Sequence, residues 1–144
     1  MMVPARRRGG DRGSIALELV AIVTVLLPPV LWGTLAAAQA ASAATATSAA
    51  VAAAARAFAT APSVETGRVR ARAIAARVFT DHGWGDSFPS VQITCSPTAC
   101  LEPGSVVIAS ARWRAPLRAI PVAAVSVPVA ATERVPVDDF RADP

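Results

Sequence analysis

The chain has no tyrosine and no lysine among its 144 residues, and its single histidine is His82. It has only two cysteines, Cys95 and Cys100, whereas a structural zinc site takes about four protein ligands. Their spacing also differs from the Cys-x-x-Cys pattern of redox-active pairs. We find no phosphate-binding loop, no nucleophile elbow and no pair of carboxylates on one framework. The sequence therefore predicts that the protein is not an enzyme and carries no metal or other cofactor.

Aromatic residues are also scarce, at 5% of the sequence, and most of the hydrophobic character comes from alanine and valine. One membrane-length apolar run leaves room for one soluble domain of about 80 residues, and domains of that size bury only about 60% of the surface that their unfolded chains expose. We therefore expect a thin core that needs further stabilisation.

Positive charge is concentrated at the N-terminus. The net charge is +4, and residues 1–13, with four arginines and one aspartate, carry +3 of it. The rest of the chain, with ten arginines against nine acidic residues, is nearly balanced. A balanced domain does not favour nucleic-acid binding, whereas a basic segment before an apolar run is typical of the cytoplasmic flank of a membrane helix. We therefore predict no nucleic-acid partner, a single pass through the cytoplasmic membrane, and a C-terminal part outside the cytoplasm.

The apolar run extends from Ile15 to Leu35, and its only charged side chain is Glu18. Such a run can span a bilayer, which takes roughly 20 residues. A carboxylate near the end of a membrane helix is still unfavourable, although by less than the roughly 2.5–3.5 kcal/mol measured for central charges. Glu18 is therefore a functional candidate, and the alternative is that its side chain reaches back to interfacial water.

Two prolines, Pro28 and Pro29, interrupt the middle of this run. Each removes a backbone donor and crowds the preceding turn, so we predict a kink there. Thr24 lies four residues before Pro28 and is placed to satisfy a carbonyl that the kink frees. Trp32 is expected at the outer membrane interface.

Residues 36–61 are mostly alanine, with Arg56 as their only charge. Alanine is the best helix former, yet this segment is expected to have little to bury in the core of a monomer. Two interpretations stay open. The segment is either a low-complexity helix or linker, or a stalk that continues from the membrane and packs beside like helices, since small residues permit close approach.

A second helix is predicted to begin after Ser63, which serves as the N-cap, with Glu65 in the first turn. Its buried face is expected to comprise Ala71, Ile74, Ala75 and Val78. Gly83 is the expected C-cap, and a capping or exposed role is expected for His82. The arginines of this second helix are expected to point to water, and the alternative is that they contact acidic lipid headgroups or a partner. They are Arg68, Arg70, Arg72 and Arg77.

From residue 88 onward apolar residues recur with a period of two, which predicts three or four antiparallel strands with one buried face. The three alternating sets are Val91, Ile93 and Cys95; Val107, Ala109, Ala111 and Trp113; and Val125, Val127 and Val129. Residues 101–104 are expected to form a turn and residues 116–121 a loop, and residues 135–144 are expected to fray. The fold class is α+β, organised as a basic leader (1–13), a transmembrane and alanine-rich helix (14–61) and a small domain (62–144).

A basic leader, Gly13, four further residues, Glu18 and a membrane-length run together form the layout of type IV prepilin-like signals. With Pro28 and the Ala-Ala-Arg of residues 54–56, this layout resembles the TadE/TadG-like family of pilus-assembly proteins, which are small pilin-like components of tight-adherence (Flp-type) pilus systems. The similarity covers the N-terminal third well. The remainder matches in layout, with a cysteine pair in a strand-rich tail and a closing Val-Asp-x-Phe/Tyr-Arg at residues 137–141. Leu19 departs from the pattern, because an aromatic residue often follows the glutamate.

The resemblance implies that a prepilin peptidase cuts between Gly13 and Ser14, which makes Glu18 the fifth residue of the mature chain. It also implies a structural role through the helix, with other pilin-like subunits and an inner-membrane platform as partners in a pilus or type II-like secretion system. Glu18 would then pair with the amino terminus of an adjoining subunit and fix the axial register. In an exported domain, a disulfide between Cys95 and Cys100 is the economical interpretation.

Two alternatives remain open. Ala38-Gln39-Ala40 matches an Ala-x-Ala signal-peptidase site, and a cut after Ala40 would release a soluble envelope domain with a binding role. Uncut, the same chain would be a plain membrane-anchored domain that binds envelope material.

Overall fold

A computed structural model of the chain describes residues 11–87, 89–97, 99–118 and 124–138, and the side chains of residues 11–14 lie outside that description. The elements are α1 (Asp11–Ala59), α2 (Val64–Asp81), a short 3-10 helix (Gly85–Ser87), β1 (Gln92–Ser96), β2 (Val106–Leu117) and β3 (Val125–Pro136). The strands form an antiparallel sheet in the order β1-β2-β3. The predicted α+β class is confirmed, with three strands in the described part of the chain.

The chain divides into two compact units, Met1–Leu35 and Ala36–Pro144, which we call the N-terminal and C-terminal units. The boundary therefore falls inside α1, whereas the sequence placed the start of the small domain at residue 62. The difference arises because the alanine-rich half of α1 packs into the C-terminal unit. It supplies fully buried side chains, namely Ala43, Ala46, Thr47, Ala50, Val51, Ala54, Ala55 and Phe58. The expectation that this segment has little to bury was therefore wrong.

The small side chains of this half of α1 explain how a core can form with so few aromatic residues. Its buried positions recur every three or four residues, from Ala43 through Ala50 and Ala54 to Phe58, so that they share one helix face. Alanine at these positions leaves room for larger side chains of other elements, such as Phe79 and Trp84, in the same buried cluster. A single large side chain, Phe58, closes the end of the buried face.

Helix α2 begins as predicted, because the backbone N–H of Thr66 donates to the N-cap hydroxyl of Ser63 at 3.2 Å. Its buried face differs from the predicted one. The buried residues are Gly67, Ala71, Ala75 and Phe79, each four positions after the last, while Ile74 is 40% exposed and Val78 is half-buried. Ala71, Ala75 and Phe79 of this row belong to the same buried cluster as the alanine face of α1.

The end of α2 positions a tryptophan. His82 is the C-cap, and Gly83 follows with a φ of +78°, a conformation that glycine adopts without steric cost. The N–H of Gly83 donates to the carbonyl of Thr80, and the N–H of Trp84 donates to the carbonyl of Phe79, which is the Schellman pattern. This turn directs the chain back so that Trp84 is buried.

Three aromatic side chains, Phe79, Trp84 and Trp113, form a cluster in the C-terminal unit, which we call the aromatic cluster. Trp113 meets Phe79 and Trp84 edge-to-face, with ring centroids 5.6 and 5.5 Å apart. Each indole also donates to a hydroxyl on α1: Trp113 Nε1 to Thr47 Oγ1 at 2.9 Å, and Trp84 Nε1 to Ser42 Oγ at 3.2 Å. The cluster thus joins the sheet and the end of α2 to one face of α1.

The strands extend further than the sequence predicted. The alternation along β2 is confirmed, with Val107, Ala109 and Ala111 buried and Trp113 half-buried. However, β2 continues to Leu117, which is buried, so residues 116–117 belong to a strand and not to a loop. The rest of that predicted loop beyond residue 118 lies outside the described residues.

The predicted fraying at the C-terminus was wrong for residues 135–137. β3 continues to Pro136, and Val137 is buried with its N–H donating to the carbonyl of Ser105 at 2.8 Å. Of the third predicted set, Val129 is buried and Val127 half-buried, while Val125 is exposed at the strand end. Residues 139–144, which include most of the closing motif, lie outside the described residues.

The turn between β1 and β2 is confirmed over residues 101–104, with Leu101 and Gly104 at positive φ values of 67° and 73°. The predicted disulfide is also confirmed, because Cys95 and Cys100 are bonded with Cα atoms 5.3 Å apart. The bond links the penultimate residue of β1 to the turn that follows it.

We predict that Thr47→Val lowers the free energy of unfolding by about 1–2 kcal/mol, because valine keeps the shape but leaves the indole N–H of Trp113 without an acceptor. The matched control is Thr45→Val, since Thr45 is an exposed threonine on the same helix whose hydroxyl bonds only to the carbonyl of Ala41. Urea unfolding of the full chain in detergent, followed by tryptophan fluorescence, measures both. Equal effects of the two variants would contradict the proposed anchoring role of Thr47.

We further predict that Gly67→Ala destabilises the C-terminal unit by about 1–2 kcal/mol, although alanine is the better helix former. An added Cβ would lie 2.9 Å from Phe58 Cδ2 and 3.2 Å from the Cβ of Ala61, so that packed side chains must move. Gly33→Ala is the control, because nothing lies within 4 Å of its added Cβ. The midpoint of urea unfolding measures the effect of both variants. An unchanged or raised midpoint for Gly67→Ala would show that the packing around Gly67 is loose.

Candidate functional site

The N-terminal unit presents apolar side chains that have no cover. From Ile15 to Leu35 every large hydrophobic residue is exposed, with Leu17 at 73% and Val25 at 70%. Within the described residues, α1 is the one helix long and apolar enough to cross a membrane, with a mean hydropathy of 2.2 and none of its most apolar window buried. At 1.5 Å per residue, residues 15–35 cover about 30 Å, which matches the hydrocarbon thickness of a bilayer.

Glu18 interrupts this apolar surface one turn from its start. Its side chain is exposed, and it forms no ion pair or hydrogen bond among the described residues. Leu17 and Leu19, which flank it, are exposed at 73% and 61%. A carboxylate in this position accepts hydrogen bonds or pairs with a cation, and it does so most strongly where water is excluded. Glu18 is therefore suited to binding a positive group that approaches from outside the chain.

Gly13 and Ser14 lie inside the first turn of α1, since the helix begins at Asp11. The helix predicted over residues 14–61 is therefore present as α1, with bounds of Asp11 and Ala59. Because residues four apart share a helix face, Ser14 and Glu18 lie on the same side of α1.

Pro28 and Pro29 both lie within α1, which continues through them. Lacking N–H groups, they leave the carbonyls of Thr24 and Val25 without their usual donors. The predicted role of Thr24 was wrong, because its hydroxyl donates to the carbonyl of Val20 at 2.7 Å, one turn earlier than the freed carbonyls. The kink stays a prediction. In lipid, a neighbouring helix can supply the missing donors. A shallow apolar depression on the same part of α1 is lined by Ala21, Ile22, Val25 and Leu26.

The C-terminal unit carries a second feature, a groove, which was not predicted from the sequence. A groove of about 350 Å³ is lined by Arg68, Ala71 and Arg72 of α2, by Ser90 and Val91 just before β1, and by Gln92, Ile93 and Thr94 of β1. The arginines are exposed, as predicted. The signal available in the sequence was their spacing of four residues beside the buried row of α2, but nothing local indicated that β1 lies opposite them.

The remaining predicted groups have simple surroundings. His82 is exposed at the C-cap of α2, and Arg77 pairs with Asp81 at 4.0 Å on the exposed surface. The described residues contain no cluster of three or more histidine, cysteine, aspartate or glutamate side chains that could hold a metal ion. The disulfide between Cys95 and Cys100 lies in the C-terminal unit.

Comparisons with known proteins found no match among protein-family models, curated proteins or solved structures.

Proposed function

We propose that this chain is a pilin-like, TadE/TadG-like structural component of a tight-adherence pilus or type II-like secretion system, anchored by its N-terminal helix. One observation carries the proposal. Glu18, an exposed carboxylate, lies one turn beyond Gly13–Ser14 and is the one charged residue between Ile15 and Leu35, where every large apolar side chain of α1 is uncovered. The spacing between Gly13 and Glu18 and the exposure of the apolar side chains are together what a subunit needs if its helix is to pack among identical or related helices.

The energetics of Glu18 supply the mechanism. An unpaired carboxylate in lipid is unfavourable, so an assembly that pairs it gains free energy over the isolated subunit. A cut after Gly13 creates an ammonium group on Ser14, at nearly the same depth as Glu18. When two helices lie side by side, the Glu18 of one subunit can pair with the Ser14 amino group of the next. Because both charges are then satisfied, only one axial offset between the helices is favoured.

Orientation follows from the charges and the disulfide. The four arginines of residues 1–13 favour a cytoplasmic N-terminus. The bond between Cys95 and Cys100 favours an oxidising compartment for the C-terminal unit. We therefore propose a single-pass protein of the cytoplasmic membrane with its C-terminal unit on the outside, and with a prepilin peptidase, a membrane platform and other pilin-like subunits as partners.

A second candidate function has its own support. The first buried residue of the C-terminal unit is Ala43, so a signal-peptidase cut after Ala40 would leave the whole buried face of α1 with the released domain. Ser42, which accepts from Trp84, would also be retained. The product would be an exported envelope domain with a binding role; uncut, the same chain would be a plain anchored domain.

Topology is tested with a single added cysteine. Both native cysteines are bonded to each other, so Arg70→Cys introduces one free thiol on the exposed surface of α2. We expect a membrane-impermeant thiol reagent to label it on intact, wall-stripped cells, and to leave the parent chain unlabelled. Labelling that requires lysis would place the C-terminal unit in the cytoplasm and contradict the orientation.

The role of Glu18 is tested by charge removal. We expect Glu18→Gln and Glu18→Ala to insert into the membrane normally, yet to reduce co-purification with a differently tagged copy or a pilin partner at least tenfold, because the ammonium of the adjoining subunit loses its counter-charge. Glu65→Gln is the control, since Glu65 is an exposed carboxylate on α2.

A double variant separates pairing from other effects of Glu18. If its partner is the Ser14 amino group, blocking the cut with Gly13→Leu removes that partner. The variant Gly13→Leu/Glu18→Gln should then be no more defective than Gly13→Leu alone. The pairing mechanism would be contradicted if both single Glu18 variants associated as the wild type does. It would also be contradicted if the losses of association in the double variant were the sum of those in the two single variants.

A further inference from the structure

The sheet has two edges with different protection. β3 forms one edge, and it carries Pro128 and Pro136 together with the charged residues Glu133 and Arg134. Proline and charge on an edge strand hinder further strand pairing. β1 forms the other edge, and its five residues, Gln92–Ser96, include no proline and no charge. Among the described residues β1 pairs only with β2, so its outer row of backbone donors and acceptors has no strand partner.

The groove beside β1 follows that outer edge. Successive side chains of a strand point to opposite faces of its sheet. Here Val91 is buried and Ile93 half-buried on the core side, while Gln92 and Thr94 are exposed on the other. All four line the same groove. A groove that touches consecutive residues from both faces runs along the edge of the strand, where the backbone groups are presented.

The opposite wall of the groove is basic. Arg68 and Arg72 line it from α2 with Ala71 between them, and neither arginine forms an ion pair among the described residues. Residues four apart on a helix have Cβ atoms about 5–6 Å apart. In an extended chain, side chains at alternate positions lie about 6.6 Å apart on one face. Two acidic residues separated by one residue would therefore match the two arginines.

We propose that this groove binds an extended acidic segment of a partner protein, which adds to the sheet as a fourth strand beside β1. The backbone of the segment pairs with residues 91–96, and its alternate carboxylates pair with Arg68 and Arg72. Backbone pairing supplies most of the affinity in strand addition, whereas the side-chain pairs select the sequence. A lipid headgroup would use the two arginines but not the strand edge. This site is independent of the pairing of Glu18.

The test uses the full chain in detergent micelles and a fluorescent peptide, acetyl-Thr-Asp-Val-Asp-Val-Thr-amide, with binding read by anisotropy. The control peptide replaces both aspartates with asparagine. We expect the acidic peptide to bind, and the asparagine peptide to bind about tenfold more weakly, since two exposed ion pairs at about 0.7 kcal/mol each correspond to that factor. Binding should also weaken as salt concentration rises.

Matched variants assign the effect to the groove. Arg68→Gln/Arg72→Gln should bind the acidic peptide about tenfold more weakly than wild type and as weakly as wild type binds the asparagine peptide. Arg70→Gln, an exposed arginine on the same helix that does not line the groove, should bind as wild type does. Near-UV circular dichroism verifies that each variant is folded. A misfolded double variant leaves the two-peptide comparison on the wild type to decide.

Backbone hydrogen bonds between the peptide and β1 would protect amides from hydrogen exchange, whereas ion pairs at the surface would not. Hydrogen exchange with the acidic peptide bound should slow at amides within residues 91–96 and not in β3. Absence of peptide binding at millimolar concentration, equal binding of the two peptides, or binding without protection of β1 would each overturn the proposal. Arginine-dependent binding of dihexanoyl phosphatidylglycerol in place of the peptide would assign the groove to lipid headgroups instead.

Discussion

Helix α1 has to be compatible with two different environments, because its first half exposes apolar side chains and its second half forms the core of the C-terminal unit. Both halves lack charge almost entirely, but they differ in size. Leucine, isoleucine and valine dominate up to Leu35, where large side chains suit lipid. Alanine dominates afterwards, where small side chains leave room in the core for side chains of other elements. The change in side-chain volume near residue 36 therefore divides the helix into its two units, and the remaining structure is arranged around the second half.

An alanine face is smooth and offers little to fix the register of what packs on it. The hydroxyls of Ser42 and Thr47 supply that register, since each accepts a hydrogen bond from an indole in a different element. Trp113 comes from β2, and Trp84 comes from the turn that ends α2. Three aromatic rings and two hydroxyls thus do in this small domain what a larger core does with many interlocking side chains. The disulfide adds a covalent link at the turn between β1 and β2.

Features set by neighbouring residues could be predicted from the sequence. These include the Ser63 cap, the alternation along β2 and the cysteine pair, because each depends on residues close in the chain. The buried face of α1 could not be predicted, since alanine occupies buried and exposed positions alike and leaves no periodic signal.

Other features depended on tertiary contacts. Ile74 was expected to be buried because it is hydrophobic, but α2 buries the row of residues from Gly67 to Phe79 instead. The proximity of Gly13, Ser14 and Glu18 could be predicted from the sequence, because one helical turn brings them together. The groove beside Arg68 and Arg72 could not be predicted, because residues distant in the sequence, those of β1, form its other side.

In the proposed assembly, Glu18 pairs with the Ser14 amino group of an adjoining subunit, and that amino group exists only after a cut. Amino-terminal sequencing of the full-length gene product, extracted from membranes, tests this most directly. We expect a sequence that begins Ser-Ile-Ala-Leu-Glu. A product that keeps the arginine-rich leader, or a soluble product that begins at Ala41, would contradict it.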